Sequence, residues 1–336
     1  MNIKLNKEGG VTLVELMIAM LLGILLTGGV IQTFSANKAT FNTIEGMSRL
    51  QEGARFTLDT LAREARMIGY MGCMSVNMPI HNTLFAANQG EYDINAGAAG
   101  HNGEASSWNP ALSTTLSGLS NAPLAGTDVL KIFGMSSEGE RLAASMPNSS
   151  ADLKVVTPTS LADNDVVFLS DCEKGAIFQA TQVNTNSTSG KDNVVHNTGS
   201  SWNETKPLTT DGSSFGEDAT VYKLVTKYYY IAQGTGVNNQ GNAVQSLYVM
   251  ENGSVSELIE GIEDLQIMFG VDVTPADTSA LANRYVTANN ITANDEVVSI
   301  RIMITANSIN TSTEEGDGLL RRSFTQTVKI RNRGAL

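Results

Sequence analysis

The chain of 336 residues is 41% hydrophobic, carries a formal net charge of −12 and has a sequence pI of about 4.7. Such apolar content supplies one large core or two small ones, which excludes disorder throughout. The acidic balance repels a nucleic-acid backbone over most of the surface, so direct nucleic-acid binding is not expected. A lean to Ser, Thr, Asn, Gly and Ala, with 17% charged residues and 7 prolines, resembles extracytoplasmic β-rich proteins with long polar loops.

Residues 1–10 carry Lys4 and Lys7 ahead of an apolar run, and apart from Glu15 no charge interrupts 11–35. A helix of that length crosses the hydrocarbon core of a bilayer, which takes about 20 residues. The two lysines hold this end in the cytoplasm and place the bulk of the chain outside. A secretory signal would want a small-residue cleavage site after the run, and Thr33-Phe34-Ser35-Ala36 is a weak one. That reading explains neither the carboxylate at the front of the run nor Gly9-Gly10 before it. A charge in lipid costs a few kcal/mol, so Glu15 marks a functional site whose partner has to be found.

Gly10-Val11-Thr12-Leu13-Val14-Glu15-Leu16 resembles the cleavage and methylation motif of type IV prepilins and type II secretion pseudopilins. The resemblance implies that a prepilin peptidase cuts between Gly10 and Val11 and methylates the new amino terminus of Val11. Glu15 then lies four residues along, on the same helical face as that terminus. In a filament its carboxylate neutralises the amino terminus of a neighbouring subunit, turning a costly charge into a register pin. Gly23, Gly28 and Gly29 suit close helix approach in the membrane. With no proline in the run, any bend or local melting is expected at these glycines.

Beyond Phe34, Ile44, Met47, Leu50, Ala54, Leu58, Leu61, Ala65 and Ile68 recur at spacings of three and four, predicting one apolar helical face. Glu45, Arg49, Glu52, Arg55, Asp59, Arg63 and Glu64 fall on the opposite face. The expected helix runs from Thr12 to about Met67, roughly 80 Å at 1.5 Å per residue. Gly69-Tyr70-Met71-Gly72-Cys73 ends it with residues suited to a C-cap and a tight turn.

From Met74 to about Ala125 no period is sustained, and a long irregular insertion is expected, mobile over 90–103. Strand patterns follow at 127–133, 153–156, 166–169, 176–183, 219–231, 247–250, 265–271, 297–305 and 324–331. In 297–305, Val298, Ile300, Ile302 and Ile304 alternate with Ser299, Arg301, Met303 and Thr305, giving one buried face. The segment 184–218 reads as a second loop excursion. The fold class expected is α+β: a long N-terminal helix packed on an antiparallel β-sheet head, pilin-like. Its divisions are a leader at 1–10, a membrane and filament-core helix at 11–34, an amphipathic half at 35–68 and a periplasmic head at 69–336.

The two cysteines, Cys73 and Cys172, lack the CxxC pairing of a zinc ribbon. One disulfide, permitted outside the cytoplasm, is the better reading, and two independent buried thiols are the alternative. His81, His101 and His196 stand in no metal-binding spacing, and no phosphate loop, dinucleotide fingerprint or nucleophile elbow occurs. No catalytic residue, metal or cofactor is therefore expected. Glu257, Glu260, Glu263 and Asp264, and separately Glu314, Glu315 and Asp317, read as solvated acidic faces without calcium-loop spacing. Arg321, Arg322, Lys329, Arg331 and Arg333 make the carboxyl end locally basic, suited to docking on an acidic neighbour.

Scattered blocks extend the resemblance. Arg63-Glu64-Ala65-Arg66 leading to Gly69–Cys73, Ser170-Asp171-Cys172-Glu173 with Phe178-Gln179, residues 257–266 and Ile330-Arg331-Asn332-Arg333 resemble the PilW family of minor type IV pilins. This resemblance implies an inner-membrane, single-pass subunit that primes pilus assembly with other minor pilins and the major pilin, at the tip or below it. It implies support of motility, adhesion or DNA uptake, and no small-molecule substrate. A minor pseudopilin of type II secretion shares the anchor. The alternative from another class is a membrane-anchored periplasmic binding protein or hydrolase, which would need a cleft with convergent polar groups.

Overall fold

The computed structural model describes residues 11–74, 78–90, 92, 98–136, 138–185, 190–274, 281–292, 294–311 and 317–332. The expected leader with Gly10, and Glu314, Glu315 and Arg333, lie outside the described residues.

Helix α1 runs unbroken over Leu13–Met67, 55 residues, straight through Gly23, Gly28 and Gly29. Thr12 caps it, and its last turn gives way to Gly69 at φ 70° and Gly72 at φ 63°. A Cβ on Gly72 would stand 3.0 Å from the Tyr222 hydroxyl, so both backbone and space require glycine there. In the apolar run the hydroxyls of Thr27 and Thr33 donate to the carbonyls of Gly23 and Gly29, at 2.7 and 2.9 Å. These two hydroxyls are thus satisfied by their own helix, as a lipid environment demands.

The first half of α1 is exposed throughout, and burial begins at Gly46. The buried face then comprises Gly46, Leu50, Gly53, Ala54, Thr57, Leu61, Ala62 and Ala65. It differs from the apolar face read in the sequence. Ile44 is 64% exposed, whereas Gly46, Gly53 and Ala62, which carry little hydrophobic signal, lie against the sheets. Glu64, expected on the solvent face, is half-buried and accepts both oxygens' bonds from Lys227 Nζ at 3.1 Å. Small residues prevail because packing selects short side chains where a helix approaches a sheet closely.

Among the described residues two sheets make up most of the rest. A four-stranded antiparallel sheet orders β15 (Arg284–Val286), β14 (Ile262–Asp272), β16 (Glu296–Asn307) and β17 (Arg321–Lys329) side by side. Ile300, Ile302, Ile304 and Val328 point from it into one core with Leu50, Leu61 and Ala65 of α1. Leu130, Tyr229, Ile231 and Leu247 close that core from the second sheet.

This second sheet has 13 strands and branches at β11 (Thr220–Val237), which is 18 residues long. Residues 224–229 of β11 pair with β4 (Val129–Met135), and the strand's outer part pairs with β12 (Ala243–Glu251), which in turn pairs with β13 (Ser254–Glu260). Its first residues pair instead with β5 (Glu140–Ala144) and β7 (Val166–Ser170). Around those gather β6 (Leu153–Val156), β8 (Gly175–Gln179), β9 (Gln182–Asn184) and β10 (Lys191–Val195), enclosing a separate core that includes Leu153, Leu169, Phe178, Val194 and Phe215. One strand spans both bodies, and this β-rich part is larger than the simple antiparallel head expected. It also includes a parallel pair, β1 (Ile80–Asn82) with β8.

The two excursions read as loops are corrected by strands. Within 74–125 lie β1, β2 (Ala98–Gly103), β3 (Trp108–Asn109) and two short helices, and β10 lies within 184–218. The sequence of β2, Ala-Ala-Gly-His-Asn-Gly, has no strand propensity. Its backbone is held by close approach: a Cβ on Gly100 would meet Val129 O at 2.9 Å and the Phe269 ring at 3.0 Å. Within the segment expected to be irregular, residues 98–101 pair with β4 and residues 102–103 with β3. Beside it Asp128, 3% exposed, accepts the N–H groups of Gly103 and Ile267, each at 2.7 Å, while its own N–H donates to Leu265 O at 2.8 Å. This buried carboxylate ties the two sheets together, and burial pushes its pKa up.

Two measurements test this packing. A Cβ on Gly53 would reach Ile259 at 3.5 Å, an ordinary contact, so Gly53→Ala is expected to raise stability by about 0.5–1 kcal/mol through helix propensity, read as a higher denaturation midpoint. His196 is 1% exposed and its Nε2–H donates to Ala151 O at 2.9 Å; burial holds its pKa below the ordinary histidine value. The unfolded chain then binds a proton that the folded chain resists. The His196 contribution is full above about pH 6.5 and is lost as pH falls below it, and His196→Gln removes that part of the pH dependence of unfolding.

Candidate functional site at the two ends of the helix

At the start of α1, Thr12 and Glu15 form a reciprocal cap. Glu15 N donates to Thr12 Oγ1 at 3.3 Å, while Thr12 N and Oγ1 donate to Glu15 Oε2 at 3.0 and 3.1 Å. The pattern Thr12-Leu13-Val14-Glu15 is the capping-box spacing, so Thr12 was legible in the sequence as a functional residue, although the carboxylate alone draws the eye. Only Oε2 is engaged among the described residues. Val11 is 73% exposed, and Glu15 beside it is exposed as well.

The other end of α1 is stapled. Cys73 and Cys172 are disulfide-bonded with Cα atoms 5.1 Å apart across a separation of 99 residues, joining the turn after α1 to the loop between β7 and β8. Met71 and Met74 flank Cys73 and enter a small core with Leu84, Val166, Phe168 and Ile177. Cys172 has φ 73° and donates its N–H to Ser170 Oγ at 3.1 Å. Asp171 accepts the N–H groups of Glu173 and Lys174 at 3.1 and 3.0 Å and lies 3.0 Å from Lys174 Nζ. Burial alone would raise the Asp171 pKa; the Lys174 bonds and charge outweigh it and hold the carboxyl below its ordinary range. Cys73 and Cys172 are thus brought together, while Val11 and Glu15 stand at the opposite end of α1.

The acidic groups are spent on local bonds. Glu257 accepts from Thr235 N and Oγ1 at 3.2 and 2.8 Å, and Glu263 accepts from Arg321 Nε at 2.7 Å. Among the described residues no group of three His, Cys, Asp or Glu is placed to hold a metal ion. A cleft of about 930 Å³ opens where α1 stops and the sheet continues, bordered by Arg63, Met67 and Tyr70. Its charges are mostly paired, Lys227 with Glu64 and Lys223 with Asp165 at 2.6 Å.

The architecture defines a class: a sheet-rich body carried on one helix that is long and apolar enough to cross a membrane, with the crossing part unburied. Residues 228–332 match the family model described as Type IV Pilus-assembly protein W, PilW, which supports a PilW-family type IV pilus protein. The matched segment runs from β11 through β17 and contains most of the surface on which α1 lies. No curated protein and no solved structure matches.

The staple generates a prediction. Replacing both cysteines by serine removes the constraint on a loop of 99 residues, and the chain-entropy model gives a loss of up to about 4–5 kcal/mol. Denaturant unfolding of the double variant against the oxidised parent measures it, and an unchanged midpoint refutes a stabilising role.

Proposed function

We propose that this chain is a minor type IV pilin that acts in pilus assembly rather than in catalysis. It sits in the inner membrane through 11–34, with 69–336 in the periplasm, and joins other minor pilins and the major pilin. The observation that carries this reading is the continuity of α1, whose exposed apolar half runs without a break into the half that is built into the core. The match over 228–332 supports the pilus over the secretion pseudopilus.

Processing by a prepilin peptidase between Gly10 and Val11 creates an ammonium group one residue before the cap. The N–H of Thr12 survives that cleavage as a peptide N–H, so Glu15 Oε2 keeps its local role. Oε1 is left for the methylated amino terminus of a neighbouring subunit. The carboxylate thus stays capped in the single chain and becomes paired in the assembled bundle, where an unpaired partner would cost several kcal/mol. The carboxylate defines the stagger between adjacent helices.

Amino-terminal sequencing of the mature protein is expected to start at N-methylated Val11, and any other start overturns the processing site. Glu15→Ala is expected to leave the protein in the membrane while surface pili are reduced or lost. Normal piliation in that variant would sink the assembly role.

A further inference from the structure

The four-stranded sheet buries one face beneath α1 and leaves the other open. On the open face Arg301 stands opposite Met268 and Thr327, Met303 opposite Gln266 and Thr325, and Ser299 opposite Lys329. The Arg301 guanidinium carbon lies 3.9 Å from the centre of the Tyr285 ring, and Nε donates to Thr327 Oγ1 at 3.3 Å. The Tyr285 hydroxyl lies 3.2 Å from Ser299 Oγ, which fixes the ring in turn. A guanidinium held by a ring on one side and a hydroxyl at its edge loses little rotamer freedom when it binds an anion.

Lys329 is exposed on the same face. Ile330 N donates to Val298 O at 2.9 Å, so the alternation continues and places Arg331 there too. Arg301, Lys329 and Arg331 have no ion pair among the described residues. The contrast is at the other end of β17, where Glu263 and Asp317 hold Arg321 at 2.7 and 2.9 Å. A chain of net charge −12 thus keeps three cations on one sheet face without an ion pair among the described residues.

We propose that this open face docks a carboxylate-bearing surface of another protein, with Arg301 as the preorganised anchor. On the assembly reading above, that surface belongs to a neighbouring pilus subunit. A planar guanidinium matches a carboxylate in bidentate fashion, and complementary charge sets orientation and partner choice. The threonine hydroxyls and Met303 supply the short polar and apolar contacts of a protein interface. A long polyanion fits poorly, because the acidic remainder of the surface repels it beyond the edges of the sheet.

Zero-length carbodiimide cross-linking in cells that produce the full chain joins the Lys329 amine to any carboxylate in contact, and mass spectrometry reads the adduct. Expected is an adduct between Lys329 and an Asp or Glu of another protein, about tenfold or more weaker in Arg301→Glu and largely kept in Arg301→Lys. Lys329→Arg should abolish the adduct while preserving charge. Lys329→Glu serves as a second charge reversal at an exposed position, and loss of partner capture by co-purification is expected there. Absence of the adduct, or indifference to Arg301→Glu, overturns the proposal. Salt-sensitive binding of the purified full chain to single-stranded DNA, lost in Arg301→Glu, overturns it in favour of nucleic acid. A captured acidic protein that is no pilus component upholds the docking face and overturns the assembly reading instead.

Discussion

The structure depends on the burial of a small-residue helix face against two sheets at once. Gly46, Gly53, Ala54, Ala62 and Ala65 leave space for Ile300, Ile302 and Ile304 on one side and Leu130, Tyr229 and Ile231 on the other. Because α1 fills the angle between the sheets, its direction is set by the core and not by a hinge. The apolar half of the helix inherits that direction. Thr27 and Thr33 return their hydroxyls to its backbone. The apolar half and the β-rich body are therefore joined by one continuous helix.

A second constraint joins the parts of the body. β11 serves the helix-covered core with its later residues and the disulfide-bearing part with its first, while Asp128 fastens β4 to β14 by backbone bonds from both sides. A buried carboxylate costs desolvation, and the two backbone N–H groups that donate to it, from Gly103 and Ile267, offset it in part. The polar cross-tie specifies how two sheets meet at a place where apolar side chains alone would permit sliding.

How much of this was legible in the sequence follows from the physics of each element. The helix was, nearly to the residue, because a sustained three-and-four spacing has no other interpretation and Thr12 and the Gly69–Gly72 turn mark its ends. Strands with alternating Ile and Val, such as β16, were equally plain. β2 and β10 were not, since their pairing comes from close backbone approach and from neighbours far along the chain, neither of which leaves a local pattern. Ile44 misled because periodicity gives an apolar face without saying where the sheets begin. At the candidate site, Glu15 and the cysteines announced themselves by chemistry. Thr12 is readable from its capping-box spacing to Glu15, whereas Arg301 acquires its role only from partners that geometry supplies.

The disulfide also has a mechanical meaning. A chain held at α1 and gripped elsewhere on its β-rich body bears load along its length, and any part that unravels adds slack. The bond between Cys73 and Cys172, 99 positions apart, shorts out the chain between them, which fully extended would reach roughly 330 Å. Pulled from the start of α1, the covalent path leaves the end of the helix, crosses one sulfur–sulfur bond and enters the strands that lead to β11. Strands β1–β7 lie between the cysteines and off this covalent path, so the load-bearing line stays short while these strands, β4 among them, keep their places in the cores.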